Sequence, residues 1–125
     1  MSLQMNDWGD ELPIYKQLSQ RIIGQIADGI WPEGSMLPSV RGVAADLKIN
    51  HLTVMKGYQQ LVDQGFIEKK RGQGMIVLAG AIENIRNNQK QHFLEKEVPE
   101  LAEKLNRIGL SADELVQALE QYRIR

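Results

Sequence analysis

Two short helical stripes stand almost back to back in the middle of the chain, each with its own polar starter. Ser39 precedes Val40, Val43, Ala44 and Leu47, a spacing that puts apolar side chains on one helix face. Only Lys48 and Ile49 intervene before Asn50, which opens a second run, Val54, Tyr58, Leu61 and Val62, that stops at Gly65. A hydroxyl or carboxamide in such a place accepts a backbone N–H that a first helical turn leaves free, so Ser39 and Asn50 predict two separate helix starts. This is the outline of a helix-turn-helix, whose second helix can enter the major groove of DNA.

The flanking segments extend that outline. Ile14, Leu18, Ile22 and Ile26 recur every fourth residue after Pro13, which suits a first helical turn, and Gly29 ends the pattern. Trp31-Pro32-Glu33-Gly34 reads as a turn, followed by a short loop to Pro38. Past Gly65, Phe66-Ile67-Glu68 and Met75-Ile76-Val77-Leu78 flank Lys69-Lys70-Arg71-Gly72-Gln73-Gly74, which predicts two strands joined by a basic glycine loop, a β-wing. A long helical pattern then carries Ile82, Ile85, Phe93, Leu94, Val98, Leu101, Leu105 and Ile108 up to Gly109, and Pro99 should kink or split it. Ser111 with Glu114 forms a capping box for a final helix bearing Leu115, Leu119 and Tyr122.

Composition narrows the function classes. The chain's 125 residues suit one ordinary domain, or a small domain with an appendage. With no Cys and only His51 and His92 as imidazoles, thiolate chemistry is excluded and neither a metal site nor any cofactor is expected. No catalytic constellation is visible, so an enzyme is not expected. No apolar run spans a membrane and no signal peptide is legible, so the expected location is the cytoplasm, with no membrane partner. Met1-Ser2-Leu3 ahead of Met5 reads either as an added leader or as a natural flexible terminus.

The formal net charge of −1 speaks against a polyanion binder until it is divided by segment. Residues 1–40 carry two basic and five acidic side chains, a balance of −3. Residues 41–80 carry six basic and three acidic, a balance of +3, and that excess lies on the two short helices and the wing.

In these residues the chain resembles the winged helix-turn-helix domain of GntR-family bacterial transcription factors. The match runs through Pro13-Ile14-Tyr15, Gln17, Gly29, Pro32, Gly34, Leu37-Pro38-Ser39-Val40-Arg41, Ala44, Leu47, Thr53-Val54, Tyr58, Leu61, Gly65-Phe66-Ile67, Gly72 and Gly74, over residues 13–78. The short tail looks like the YtrA-type branch of that family. The resemblance implies a mostly α fold with a small β-wing: a flexible N-terminus over residues 1–10, a winged helix-turn-helix domain over 11–79 and a two-helix dimerisation tail over 80–125. It further implies a homodimeric, sequence-specific repressor of an operon, commonly one encoding an ABC-type transporter.

The DNA-binding candidates are Ser39, Arg41, Asn50, His51, Leu52, Thr53, Lys56, Lys70, Arg71, Gly72 and Gln73. Arg41 matches the family's DNA-contacting arginine and would clamp a phosphate or read guanine. Ser39 and Asn50 cap helices and are placed to touch the DNA backbone as well. Thr53 matches the family's threonine and would donate to a phosphate. His51 departs from the family pattern, where Arg or Pro is common, and stands either as a base-edge partner or as a plain surface residue. Lys56 would meet phosphate, and the wing cations suit a narrow minor groove. Gly72-Gln73-Gly74 is no nucleotide loop, since neither a Walker lysine nor a third glycine follows. Gly42 replaces the Glu usual in the family, which removes one half of a capping box.

Val98, Leu101, Leu105, Ile108, Leu115, Leu119 and Tyr122 exceed what two helices beside a small domain need to bury, so a second copy of the chain is the expected partner, with palindromic double-stranded DNA as the other. The alternative is a tail folded back on its own domain. Trp8, Trp31 and Tyr15 either line a small pocket or pack around the first helix, and no small-molecule effector can be identified. A helical adaptor without DNA binding is the rival function, and it would leave Thr53 and the wing cations without a role.

Overall fold

The computed structural model describes residues 8–122, so the leader and flexible-terminus alternatives for residues 1–7 lie outside the described residues. The chain forms two compact units that meet between Arg86 and Asn87.

The first unit is built around α1 (Ile14–Ala27), α2 (Val40–Leu47) and α3 (His51–Asp63). In α1 the stripe buries Leu18, Ile22 and Ile26, while Ile14 at its start stays exposed. Pro13 stands just ahead of the helix, where its carbonyl accepts the N–H groups of Lys16 and Gln17 at 3.1 and 3.2 Å. Val43 and Leu47 of α2 and Val54, Tyr58 and Leu61 of α3 complete the helical part of the core. Each such side chain contributes roughly 1.5–3 kcal/mol by leaving water. Ser19 is the one polar side chain buried in this core among the described residues, and its hydroxyl donates to the Lys16 carbonyl at 2.9 Å and to Gln60 Oε1 at 3.3 Å, tying α1 to α3.

The wing consists of β1 (Ile67–Lys70) and β2 (Gly74–Val77), paired antiparallel with Ile67 opposite Val77 and Lys70 opposite Gly74. Lys69 and Lys70, expected in the loop, extend β1, because the loop needs only Arg71, Gly72 and Gln73 once the Gln73 N–H closes on the Lys70 carbonyl at 2.9 Å. The stretch before Pro38, expected as a loop, runs along the free edge of β2: Leu37 N–H donates to Met75 O at 2.8 Å and Val77 N–H to Ser35 O at 2.9 Å. This edge pairing anchors the wing to the chain that leads into α2.

α4 (Ala81–His92) starts in the first unit, with Ala81 and Ile85 buried in the same core. Its first free N–H groups find a remote acceptor. Glu33 accepts from Gly80 N–H at 2.9 Å and Ile82 N–H at 3.0 Å, and these two bonds hold its carboxyl below the ordinary value of 4.5. Trp8 packs against the core from the N-terminal side under the Arg21 guanidinium, 3.9 Å from its ring centre, and Gln17 brackets Gly9 with bonds to its N–H and carbonyl at 2.9 and 2.7 Å.

In the second unit the break expected at Pro99 takes the form of a π-helical turn, Phe93–Glu97, placed just before α5 (Val98–Ile108). Proline cannot donate the bond a continuous α-helix would require, and the Val98 N–H reaches back to the Phe93 carbonyl instead. Gly109 in left-handed conformation ends α5 and frees the chain to start α6 (Ala112–Glu120) behind the Ser111–Glu114 capping box.

Candidate nucleic-acid interface

All eleven DNA-binding candidates lie in the first unit, and its local geometry fixes how α2 and α3 present theirs. Ser39 Oγ accepts the Gly42 N–H at 3.0 Å, which starts α2 with Arg41 in its exposed first turn. α2 ends at Lys48, whose φ of 56° makes it the only non-glycine in a left-handed conformation among the described residues. The Ile49 N–H then returns to the Ala44 carbonyl at 3.1 Å, and Asn50 Oδ1 accepts the Leu52 N–H at 2.8 Å to open α3. Sequence reading gave both caps, and both have the geometry expected of them.

Three contacts set the rotation of α3 about its own axis. Val54, Tyr58 and Leu61 are sealed in the core at 0–1% exposure. The Tyr58 phenol, with its ionisation pushed up by burial, donates to the Pro38 carbonyl at 2.7 Å and so ties α3 to the chain entering α2. Gly57 is buried where α1 passes, and a Cβ there would stand 3.1 Å from the Tyr15 carbonyl oxygen. Sequence reading missed this glycine because its role depends on a tertiary contact with α1; its signal was a residue without a side chain one position before the core Tyr58.

With that rotation set, His51, Leu52, Met55 and Lys56 are exposed, and Thr53 is half-buried. The Lys56 ammonium lies 4.3 Å from the centre of the Tyr15 ring, so it is turned toward α1 and held by the ring face. In the wing, Lys70, Arg71, Gly72 and Gln73 are all exposed, and Gly72 and Gly74 take φ of 77° and 90°, which lets the turn close without a side chain in the way. Arg41, Asn50, Lys70 and Arg71 thus belong to the surface of one unit, as do the caps that position the first two of them.

The dimerisation candidates all lie in the second unit. Val98, Leu101, Leu105 and Leu115 are half-buried, whereas Ile108, Leu119 and Tyr122 stand 63%, 42% and 77% exposed. Among the described residues of this unit no apolar side chain is fully buried. Phe93, Leu94 and Val116 add to the exposed apolar surface and were not among the sequence candidates for that role. No helix of the described residues is long and apolar enough to cross a membrane.

A family profile described as "Bacterial regulatory proteins, gntR family" matches residues 14–77. The HTH-type transcriptional repressor YtrA of Bacillus subtilis is 33% identical over 100 residues, covering 80% of this chain and 71% of YtrA. The HTH-type regulator YhcF of the same organism is 26% identical over 119 residues, 94% of this chain and 95% of YhcF. YdfD, also from B. subtilis, is 38% identical over 68 residues, but the chain spans only 14% of its length. Among solved structures, a GntR-family transcriptional regulator from Bacteroides thetaiotaomicron superposes with a TM-score of 0.76 at 34% identity over 88% of this chain and 96% of that one. The DNA-binding domain of AraR in complex with its operator ORE1 superposes with a TM-score of 0.52 at 25% identity over 62% of this chain and 96% of that one.

Proposed function

The chain belongs to the GntR family of bacterial regulatory proteins, and from that premise we propose that it is a homodimeric repressor that seats two copies of α3 on a palindromic operator. Binding DNA to regulate transcription is the function its relatives' names carry, and the repressor YtrA matches most of its length. The observation that carries the reading is the outward face of α3. It is capped by Asn50, locked in rotation by Tyr58 and flanked by Arg41 and the wing cations, in the only third of the chain with a positive balance. Arg41, Thr53, Lys70 and Arg71 supply charge-assisted or hydroxyl contacts to phosphate, and the first turns of α3 face the bases.

The uncovered apolar surface of α5 and α6 supports the dimer. A second copy would bury Ile108, Leu119 and Tyr122, which one chain leaves in water. The proposed target is an operon of the kind that YtrA-type regulators commonly control, one encoding an ABC-type transporter. Because total charge is near zero, one subunit holds DNA weakly and two engaged together hold it firmly.

Two measurements test the reading. Titration of a mixed-sequence duplex at two salt concentrations is expected to show affinity falling steeply as salt rises, and salt-insensitive or absent binding would overturn it. Light scattering at micromolar concentration is expected to give particles of twice the 14.2 kDa chain, and particles of single mass would remove the dimer.

A further inference from the structure

The exposed surface of α3 carries two apolar side chains, Leu52 and Met55, where a solvated helix would be polar throughout. At about 100° per residue, Leu52 and Lys56 straddle the direction opposite the mean of Val54, Tyr58 and Leu61, with Met55 on the flank beside Leu52. Leu52 is 60% exposed and Met55 50%, so neither side chain serves the fold of its own unit. Their separation of three places them in contact along the helix surface, but such a pair adds only about 0.2–0.5 kcal/mol to the helix. Two residues are also too few for a protein partner, which needs about 800 Å² per side. Exposed polar residues ring the pair: Asn50, His51, Lys56 and Gln59.

Three of the polar side chains on this face are engaged within the chain. Lys56 is turned onto the Tyr15 ring, Gln59 Nε2 donates to Asp63 Oδ1 at 2.8 Å, and the Asn50 carboxamide oxygen is spent on the cap. The first two turns of α3 hold no arginine, so the bidentate donor that reads guanine is missing from them. Beside His51, what this face offers a major groove is a leucine and a methionine. One base presents an apolar group there, the C5 methyl of thymine.

Resting on the proposed seating of α3 on DNA, we infer that Leu52 and Met55 are the specificity-determining side chains of this protein, and that they read thymine by enclosing its C5 methyl groups. Leu52, on the outward side of the helix, takes the deeper position in the groove. Met55, unbranched and adaptable, fills against a neighbouring thymine one turn along. The operator half-site is therefore expected to carry thymines at two nearby positions, on either strand, under the N-terminal half of α3. The fixed rotation of α3 makes this a selective device, because it holds Leu52 and Met55 at constant angles to the groove while the Tyr15 ring keeps the Lys56 ammonium aside.

Uracil lacks only the C5 methyl and keeps every hydrogen-bonding group of thymine, so it isolates the contact. Duplexes selected from a random library by the full-length protein would be resynthesised with uracil replacing one thymine at a time. Affinity is expected to fall about fourfold at each of two positions per half-site, the loss for one buried methyl, and to stay level elsewhere. Leu52→Ala is expected to bind thymine and uracil equally at one of these positions and Met55→Ala at the other. Both variants are expected to keep the wild-type melting temperature, since both side chains lie outside the core. Level binding by the wild-type protein at every position would overturn the inference while salt-dependent binding leaves the DNA-binding reading standing. Discrimination that persists unchanged in both variants would overturn it too, by assigning the effect to the stiffness of the duplex. Failure to bind any duplex would remove the reading underneath it as well.

Discussion

Ser111 and Glu114 grip each other in both directions: the Glu114 N–H donates to Ser111 Oγ at 3.1 Å, and the Glu114 carboxylate accepts the Ser111 N–H at 3.1 Å. At the start of α2 the same arrangement is half-built. Gly42 donates its N–H to Ser39 Oγ at 3.0 Å, and no side chain returns to the Ser39 N–H. Gly42→Glu would complete this second box. A Cβ at Gly42 would meet Ser39 Oγ at 3.0 Å, but Glu114 holds the equivalent place at α6, so the hydroxyl has room to yield by a few tenths of an ångström. Replacing a helical glycine contributes about 1 kcal/mol, and the carboxylate also favours the helix N-terminus. The melting temperature is expected to rise by about 4–8 °C on thermal denaturation; no change, or a fall, would show that Ser39 cannot give way.

Lys48 holds the opposite kind of backbone position. Its φ of 56° belongs to a region that costs an L side chain about 1–2 kcal/mol, and its side chain is exposed. Lys48→Gly relieves the strain but frees the unfolded chain, which returns about 0.4–1 kcal/mol of the gain. A net stabilisation of about 0.5 kcal/mol is expected in urea titrations, seen as a higher midpoint at unchanged slope. A lower midpoint would mean that Lys48 makes a compensating interaction in the turn.

Much of this fold is legible in the residues because caps and periodicity are local properties. Ser39, Asn50 and Ser111 announce helix starts by chemistry that acts within three residues, and the stripes of α1, α2 and α3 name most of the core. What escaped is tertiary. The edge pairing of Ser35 and Leu37 on β2 depends on strand neighbours far along the chain, and nothing in Gly34-Ser35-Met36-Leu37 alternates strongly enough to predict it. Gly57 matters only because the Tyr15 carbonyl passes beside it. The apolar character of Met55 gains meaning only once the core face fixes which way α3 is turned. The wing's cations were legible, although the register that assigns Lys69 and Lys70 to β1 was set by the shorter turn.

Glu33 gives α4 an acid-sensitive start. Its carboxyl titrates below 4.5 in the folded chain because ionisation strengthens the bonds from Gly80 and Ile82. A depressed value means that folding favours the charged form, so the stabilisation is complete above pH 4.5 and is lost as pH falls through the lowered folded value. Glu33→Gln keeps an acceptor but not the charge. It is expected to melt lower than the wild type at neutral pH, with the gap closing as pH drops below 4.5. Melting curves for the two proteins that run parallel through that interval would rule Glu33 out as the source.

Arg41 is the residue whose removal separates folding from binding. It is exposed in the first turn of α2, next to the N–H that Ser39 caps, and makes no contribution to the buried set. Arg41→Ala is expected to leave the melting temperature within about 4 °C, since surface substitutions outside special positions change stability by at most about 0.5 kcal/mol. Affinity for the selected duplex is expected to fall clearly. The salt dependence then tells which part of DNA the guanidinium meets. If it clamps phosphate, the slope of log affinity against log salt drops by about one per subunit and all sequences weaken alike. If it reads guanine, one base position relaxes by about 1–3 kcal/mol while other positions keep their preference. Unchanged affinity in both tests would take Arg41 off the interface and move the main electrostatic grip to Lys70 and Arg71 in the wing.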